Sequence, residues 1–215
     1  TATANSEING LTLYSVGSGT VIDHIQVSYS GDDSYEWFGG NVNSKYLVAF
    51  KGWDDDFDTD NGFVGKVQFF VSLRDPASAD QSQSNGFESD NDADGSTLTP
   101  VTAPVFSNGS MFGPLATPAT TINSLYRRAM HLRRGTRLSI YNSIFAGYPT
   151  GLDIDGQKGD SPAQATANVL QIENCIMAGM TANYSTTYLT DAETWYNNAS
   201  RNNQVMATND LLQID

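Results

Sequence analysis

The sequence predicts an all-β solenoid, and three observations carry that expectation. Charged residues make up only 16% of the 215-residue chain, while Gly, Ser, Thr and Asn are abundant, a composition that favours turn-rich β structure over helices. Segments alternating apolar with polar or small residues recur along the chain, the period-two signature of strands. They recur at a near-constant step, and a fixed period of about 20 residues marks coils that stack only on their neighbours.

Taken in order, the opening "TATANSEINGLTLYSVGSGT" reads as strand and turn already in progress, as expected of a processed protein or a piece of a longer one. The segments "HIQVSYSG", "KYLVAFKG" and "KVQFFVSL" then begin at 24, 45 and 66, a step of 21 residues each time. Each is followed by an acidic-aromatic phrase, in "GDDSYEWFGG", "WDDDFDTDNG" and "SNGFESDND", which supplies a second strand per coil. The inward aromatics of these phrases, Tyr35, Phe57 and Phe87, are 22 and then 30 residues apart, the longer interval absorbing a polar insertion, "DPASADQSQS", after Leu73. "AMHLRRG" (129–135) and "GLDIDG" (151–156) continue the second strand, while "SNGSMFG", "YNSIFAG" and "ENCIMAG" continue the first. Asn108, Asn142 and Asn174 then share one position of three coils, where stacked amides can bond along the solenoid axis. "TDAETWYNNASRNN" (190–203), with Thr190 as cap, predicts a short C-terminal helix. Residues 1–215 are expected to form one domain, with 183–215 covering its side or end. An open end would expose unpaired strand groups.

The repeat resembles the right-handed parallel β-helix of the pectate-lyase-like superfamily. More narrowly, "GSGTVIDHIQVSYSGDDSYEWFGG", "DDDFD", "VSLRDP" and "SNGFESDND" resemble a group of secreted or surface-attached proteins of Bacteroidota, over residues 7 to about 180. The resemblance implies a fold, with coils of about 21–22 residues, and a secreted or bacterial cell-surface location. It supplies no catalytic residues, because the pattern of true pectate lyases cannot be mapped onto this chain.

If Tyr35, Phe57, Phe87, Met130 and Leu152 point inward, alternation sends Glu36, Asp58, Glu88, His131 and Asp153 outward. Two residues on, the outward set is Phe38, Asp60, Asp90, Arg133 and Asp155. Equivalent positions of a parallel sheet lie about 4.8 Å apart, so one face carries two columns of carboxylates interrupted by His131 and Arg133. Like charges at that spacing call for an offset. Calcium, which takes oxygen ligands from carboxylates and amides, is the expected cofactor, with Asp58, Asp60, Glu88 and Asp90 as the metal quartet. A solvated acidic face is the alternative. Arg127, Arg128, Arg133, Arg134 and Arg137 cluster beside His131, either as an anion site for a uronic acid or sulfated sugar or as partners of the neighbouring carboxylates. Trp53, in a turn before an acidic run, is a candidate sugar-stacking residue. His131 and Arg133 are the only candidates for catalysis.

The net charge of −13 disfavours nucleic acid and anionic lipid as partners and suits cations or glycans. No stretch approaches the roughly 20 apolar residues of a membrane span. The lone Cys175 offers no internal disulfide, and neither a zinc site, a phosphate loop nor a serine-nucleophile turn is present. These readings point to a noncatalytic glycan-binding or structural module with a calcium-stabilised acidic face. The alternatives are a polysaccharide lyase or related carbohydrate-active enzyme, and a building block of a surface assembly associating with other surface proteins or other parts of a longer chain.

Overall fold

The computed structural model describes residues 7–210. In chain order the strands are β1 (Leu11–Tyr14), β2 (Val21–Ser28), β3 (Tyr35–Phe38), β4 (Asn43–Phe50), β5 (Phe57–Asp60), β6 (Lys66–Leu73), β7 (Phe87–Ser89) and β8 (Val105–Phe112). They continue as β9 (Arg128–Leu132), β10 (Ser139–Tyr141), β11 (Ile144–Ala146), β12 (Thr150–Ile154), β13 (Gln171–Glu173), β14 (Ile176–Ala178), β15 (Ala182–Tyr184) and β16 (Gln204–Met206). The first sheet runs β1-β3-β5-β7-β9-β12-β15 and the second β16-β14-β11-β8-β6-β4-β2, with β10 and β13 extending the second beside β8. Every pairing among the described residues is parallel. The chain thus passes back and forth between two sheets, with β10–β11 and β13–β14 each forming one broken strand of the second, and each sheet grows by one level per coil, which defines a parallel β-helix.

The core lies between the sheets. In the first, Tyr35, Phe57, Phe87, Met130 and Leu152 are fully buried, and the rings of Tyr35, Phe57 and Phe87 follow one another at 5.4 Å. Each such side chain contributes about 1.5–3 kcal/mol by leaving water. From the second sheet, Leu47, Phe70, Phe106, Ile140 and Phe145 close on them. Three polar residues at inward positions satisfy one another: Thr59 Oγ1 donates to Ser89 Oγ at 2.8 Å, and Ser89 and Thr136 share a hydrogen bond at 2.6 Å.

The second sheet corrects the expected step of 21. Asp23 pairs with Lys45 and Lys45 with Gln68, so the steps are 22 and 23. The same step holds on both sides of one left-handed residue per coil, which breaks the period-two alternation and so hides the true register from a count of the pattern. That residue is His24 (φ 53°), Tyr46 (56°), Phe69 (60°), Asn108 (58°), Asn142 (51°), Asn174 (55°) and Asn202 (53°) in seven successive coils. Asparagine tolerates this conformation and bulky residues rarely adopt it. Along the column, Asn202 Nδ2 donates to Asn174 Oδ1 at 2.9 Å.

Two short helices decorate the coils. The segment α1 (Ser161–Thr166), with proline at its start, was not expected from the sequence. The helix expected over 190–203 is confined to α2 (Ala192–Tyr196), with Asp191 rather than Thr190 at the cap position. It stops because the Asn198 carboxamide accepts from Ser200 N–H at 3.0 Å and starts a separate 3₁₀ turn, Ala199–Arg201. Trp195 Nε1 donates to Ala165 O of α1 at 2.9 Å, and Arg201 stacks on its ring. Residues 182–206 also supply the coil formed by β15 and β16. Among the described residues no helix is long and apolar enough to cross a membrane.

Candidate functional site

The outward face of the first sheet carries the chemistry. Glu36, Asp58, Glu88, His131 and Asp153 occupy one register column across five coils. Asp60 pairs with Phe38 in the next outward column. Asp90, Arg133 and Asp155 extend it, their amides bonding to Thr59, Ser89 and Leu132 of the preceding coil.

The C-terminal half of this face neutralises itself. Arg133 donates from Nε to Asp90 at 2.8 Å and from Nη2 to Glu88, while Arg134 reaches Asp90 at 2.6 Å. His131 lies between two carboxylates, Nδ1 to Glu88 at 3.1 Å and Nε2 to Asp155 at 3.2 Å. Arg128 holds Asp153 at 2.7 Å. Burial works to raise Glu88, but the His131 hydrogen bond and the Arg133 charge outweigh it and its pKa falls below the usual value. Burial works to lower His131, yet its bonds to Asp155 and Glu88 hold its pKa above the ordinary imidazole value. Asp90 remains raised because burial and the Glu88 charge prevail over its arginines. A polar cleft of about 230 Å³ opens here, lined by Asn85, Glu88, Arg128, His131, Arg133 and Asp155 among others.

The N-terminal half lacks such partners. Asp32 and Asp33 precede β3, and Asp54, Asp55 and Asp56 precede β5, in turns that stack through Ser34 N–H to Asp55 O at 2.8 Å and Asp55 N–H to Asp33 Oδ1 at 2.9 Å. The stacking gathers two carboxylate groups, Asp32 with Asp33 and Asp54, and Asp33 with Glu36 and Asp58, each with oxygens within 4.8 Å of one another. Among the described residues no lysine or arginine forms an ion pair with any of these five. Burial raises Asp33 and Asp58 well above the carboxylate range, with Asp54 acting next on the first and Asp33 on the second. Burial also lifts Glu36 to about 7 and Asp54 to about 6. Shielded oxygens without a hydrogen-bond partner point the same way: Asp58 Oδ1, Asp54 Oδ1 and Asn9 Oδ1, whose own amide nitrogen donates to Glu36.

The sequence-predicted residues therefore divide. Of the expected metal quartet, Asp58 joins a close carboxylate group, whereas Glu88 and Asp90 are held by His131, Arg133 and Arg134, and Asp60 stands apart, raised by burial to about 6. Arg127 bonds to Gln83 at 3.0 Å and to Ser124 O at 2.8 Å. Trp53 is 47% exposed in the turn beside Asp54. Sequence reasoning missed Asp32 and Asp33 as candidate ligands, although the doublets "DD" at 32–33 and 54–55 stand at one offset before the inward aromatics Tyr35 and Phe57. It also missed Arg74, whose side chain is wholly buried against Asp56 at 3.0 Å.

A parallel β-helix with a partly uncompensated acidic face is the class that this geometry defines. The family model described as pectate-lyase-like β-helix domain matches residues 1–211, and the chain belongs to that family. No curated protein and no solved structure matches it.

Proposed function

We propose that this domain is a noncatalytic module of a secreted or cell-surface protein that binds calcium on its acidic face and, through it, an acidic glycan. The observation that carries the reading is the Asp33, Glu36 and Asp58 group, three carboxylates from two coils that converge without a cationic side chain. Hard oxygen donors in a flexible arrangement suit calcium. Asp32, Asp54 and the Asn9 carbonyl oxygen stand close enough in the fold to add donors. Bound calcium would supply positive charge that offsets carboxylate repulsion and attracts a uronate or sulfate group. Arg128, Arg133 and the exposed Trp53 border the same face and are the proposed glycan contacts.

The test is a melting series in EDTA and in calcium. A ligand at 100 times its Kd stabilises by about 2.7 kcal/mol, which for a chain of this size raises Tm by roughly 5–10 °C. D58N and E36Q should abolish that rise. Equal melting with and without calcium would refute the cation site. Retention on polygalacturonate or alginate columns, with and without calcium, tests the glycan.

The polar cleft around His131 and Arg133 favours one second reading, a polysaccharide lyase. Appearance of unsaturated product from an acidic polysaccharide would establish it in place of the noncatalytic role.

A further inference from the structure

A different surface, on the second sheet, carries a separate inference. Seven coils place a left-handed residue at one position, and in the last four that residue is asparagine. The first three coils instead carry His24, Tyr46 and Phe69 there. Bulky side chains in this conformation are strained, and such strain persists where something other than the backbone selects the residue. Core packing does not select them: the His24 side chain is 71% exposed, Tyr46 is 43% exposed and Phe69 41%. The rings form a ladder along the solenoid axis, His24 on Tyr46 at 4.5 Å and Tyr46 on Phe69 at 5.2 Å with 9° between their planes.

The ladder stops at the fourth coil. There the short run Asn108, Gly109, Ser110 replaces the ring, so the face of Phe69 turned from Tyr46 has no aromatic cover. The groove around this step measures about 500 Å³, and Val48 and Val71 contribute to its wall. The side chains of Tyr46, Asn108 and Ser110 make no hydrogen bond within the described residues. Although the chain carries a charge of −13, no aspartate, glutamate, lysine or arginine lines this groove.

We infer that the groove is a binding site for a neutral oligosaccharide, one pyranose ring stacking on Phe69 as the next rung of the ladder. The C–H face of a pyranose is apolar with weakly positive hydrogens, which matches the negative face of an aromatic ring. Its hydroxyls find the Asn108 amide and the Ser110 and Tyr46 hydroxyls at the rim. Few polar groups around an apolar wall is the usual build of a small-molecule site. The absence of charged lining selects a neutral sugar, and a groove running along the coils selects a linear one. This inference does not rest on the acidic face, which lies on the other sheet.

The test is isothermal titration in EDTA, which silences any cation site, with cello-, manno-, xylo- and laminari-hexaose as probes. Wild-type protein binds at least one of them. F69N and Y46N install the residue that the later coils use, so each should leave Tm unchanged or raised while weakening binding by roughly tenfold or more. N108F removes no aromatic and fills the vacant rung, and it should abolish binding in a folded protein. Failure of wild type to bind any probe, or unchanged affinity in F69N and N108F, overturns the inference. So does wild-type self-association that F69N abolishes without any sugar binding, which would make a second copy the occupant.

Discussion

Removing the positive charge from the buried Asp56–Arg74 pair should be among the most damaging single changes in this chain. Both side chains have no exposure. Arg74 gives Nε to Asp56 at 3.0 Å, Nη1 to Gly52 O at 3.1 Å and Nη2 to Asn85 O, and its guanidinium lies 5.7 Å from the Tyr126 ring centre. It thereby ties the turn before β5 to the turn before β7. R74M keeps most of the volume but strands a carboxylate and the Gly52 carbonyl oxygen away from water, while Asn85 O keeps the Asp56 N–H at 3.3 Å. Breaking a buried pair from one side costs about 3–5 kcal/mol, equivalent to about 10 °C in Tm for a chain of this length. The deficit should shrink between pH 7 and pH 5, because protonating Asp56 removes the stranded charge. The double variant D56L/R74M, which leaves no unpaired charge, should recover much of the loss. Urea unfolding followed by tryptophan fluorescence measures all three proteins. A cost below about 1 kcal/mol for R74M, or a double variant less stable than R74M, would refute the reasoning.

Three further outcomes follow from the same geometry. In EDTA, stability should fall as pH rises from 5 to 8, because burial makes folded Glu36 (to about 7), Asp54 and Asp60 (each to about 6) hold protons that the unfolded chain has released; a Tm rising steadily over that range would contradict it. H131A should lose about 1–3 kcal/mol at pH 5.5 and less at pH 8. The raised His131 pKa makes its support complete below the unfolded value and lost as pH climbs through the folded one, and paired melts at the two pH values check this. G109A should cost about 1–3 kcal/mol through overpacking, since the added methyl would fall 2.0 Å from the Phe70 ring; an unchanged unfolding midpoint would show that Phe70 yields freely.

How much of this was legible in the sequence depended on whether a feature obeyed the strand period. Tyr35, Phe57 and Phe87 stand at matching points of three phrases, so the inward column and the outward Glu36, Asp58 and Glu88 follow from the strand period alone. The second sheet was less legible because one left-handed residue per strand shifts the alternation. Asparagine marks that residue at 108, 142 and 174, but His24, Tyr46 and Phe69 give no such sign. Arg74 was opaque for another reason. It sits just before an insertion, and its burial depends on Gly52, Asp56 and Asn85 from neighbouring turns. Asp33 likewise joins Glu36 and Asp58 only through the stacking of turns, which strand periodicity does not describe.

A solenoid provides its own comparison, because successive coils impose one backbone on different side chains. Where a column keeps one residue type, the backbone or the core suffices as explanation, as with the asparagines after coil three. Where a column changes type while the backbone stays constant, the change has to be explained by what the side chains meet. The outward column of the first sheet passes from Glu36 and Asp58 to Glu88, His131 and Asp153. From Glu88 onward each carboxylate has a protein cation; before it, none has. Acidic residues kept only for solubility would gain nothing from converging in buried turns, since exposed positions serve that purpose without desolvation. Convergence without compensation at Asp33, Glu36 and Asp58 therefore argues for a cation from solution, and the self-neutralised coils beside it show what this face looks like when the chain supplies the charge itself.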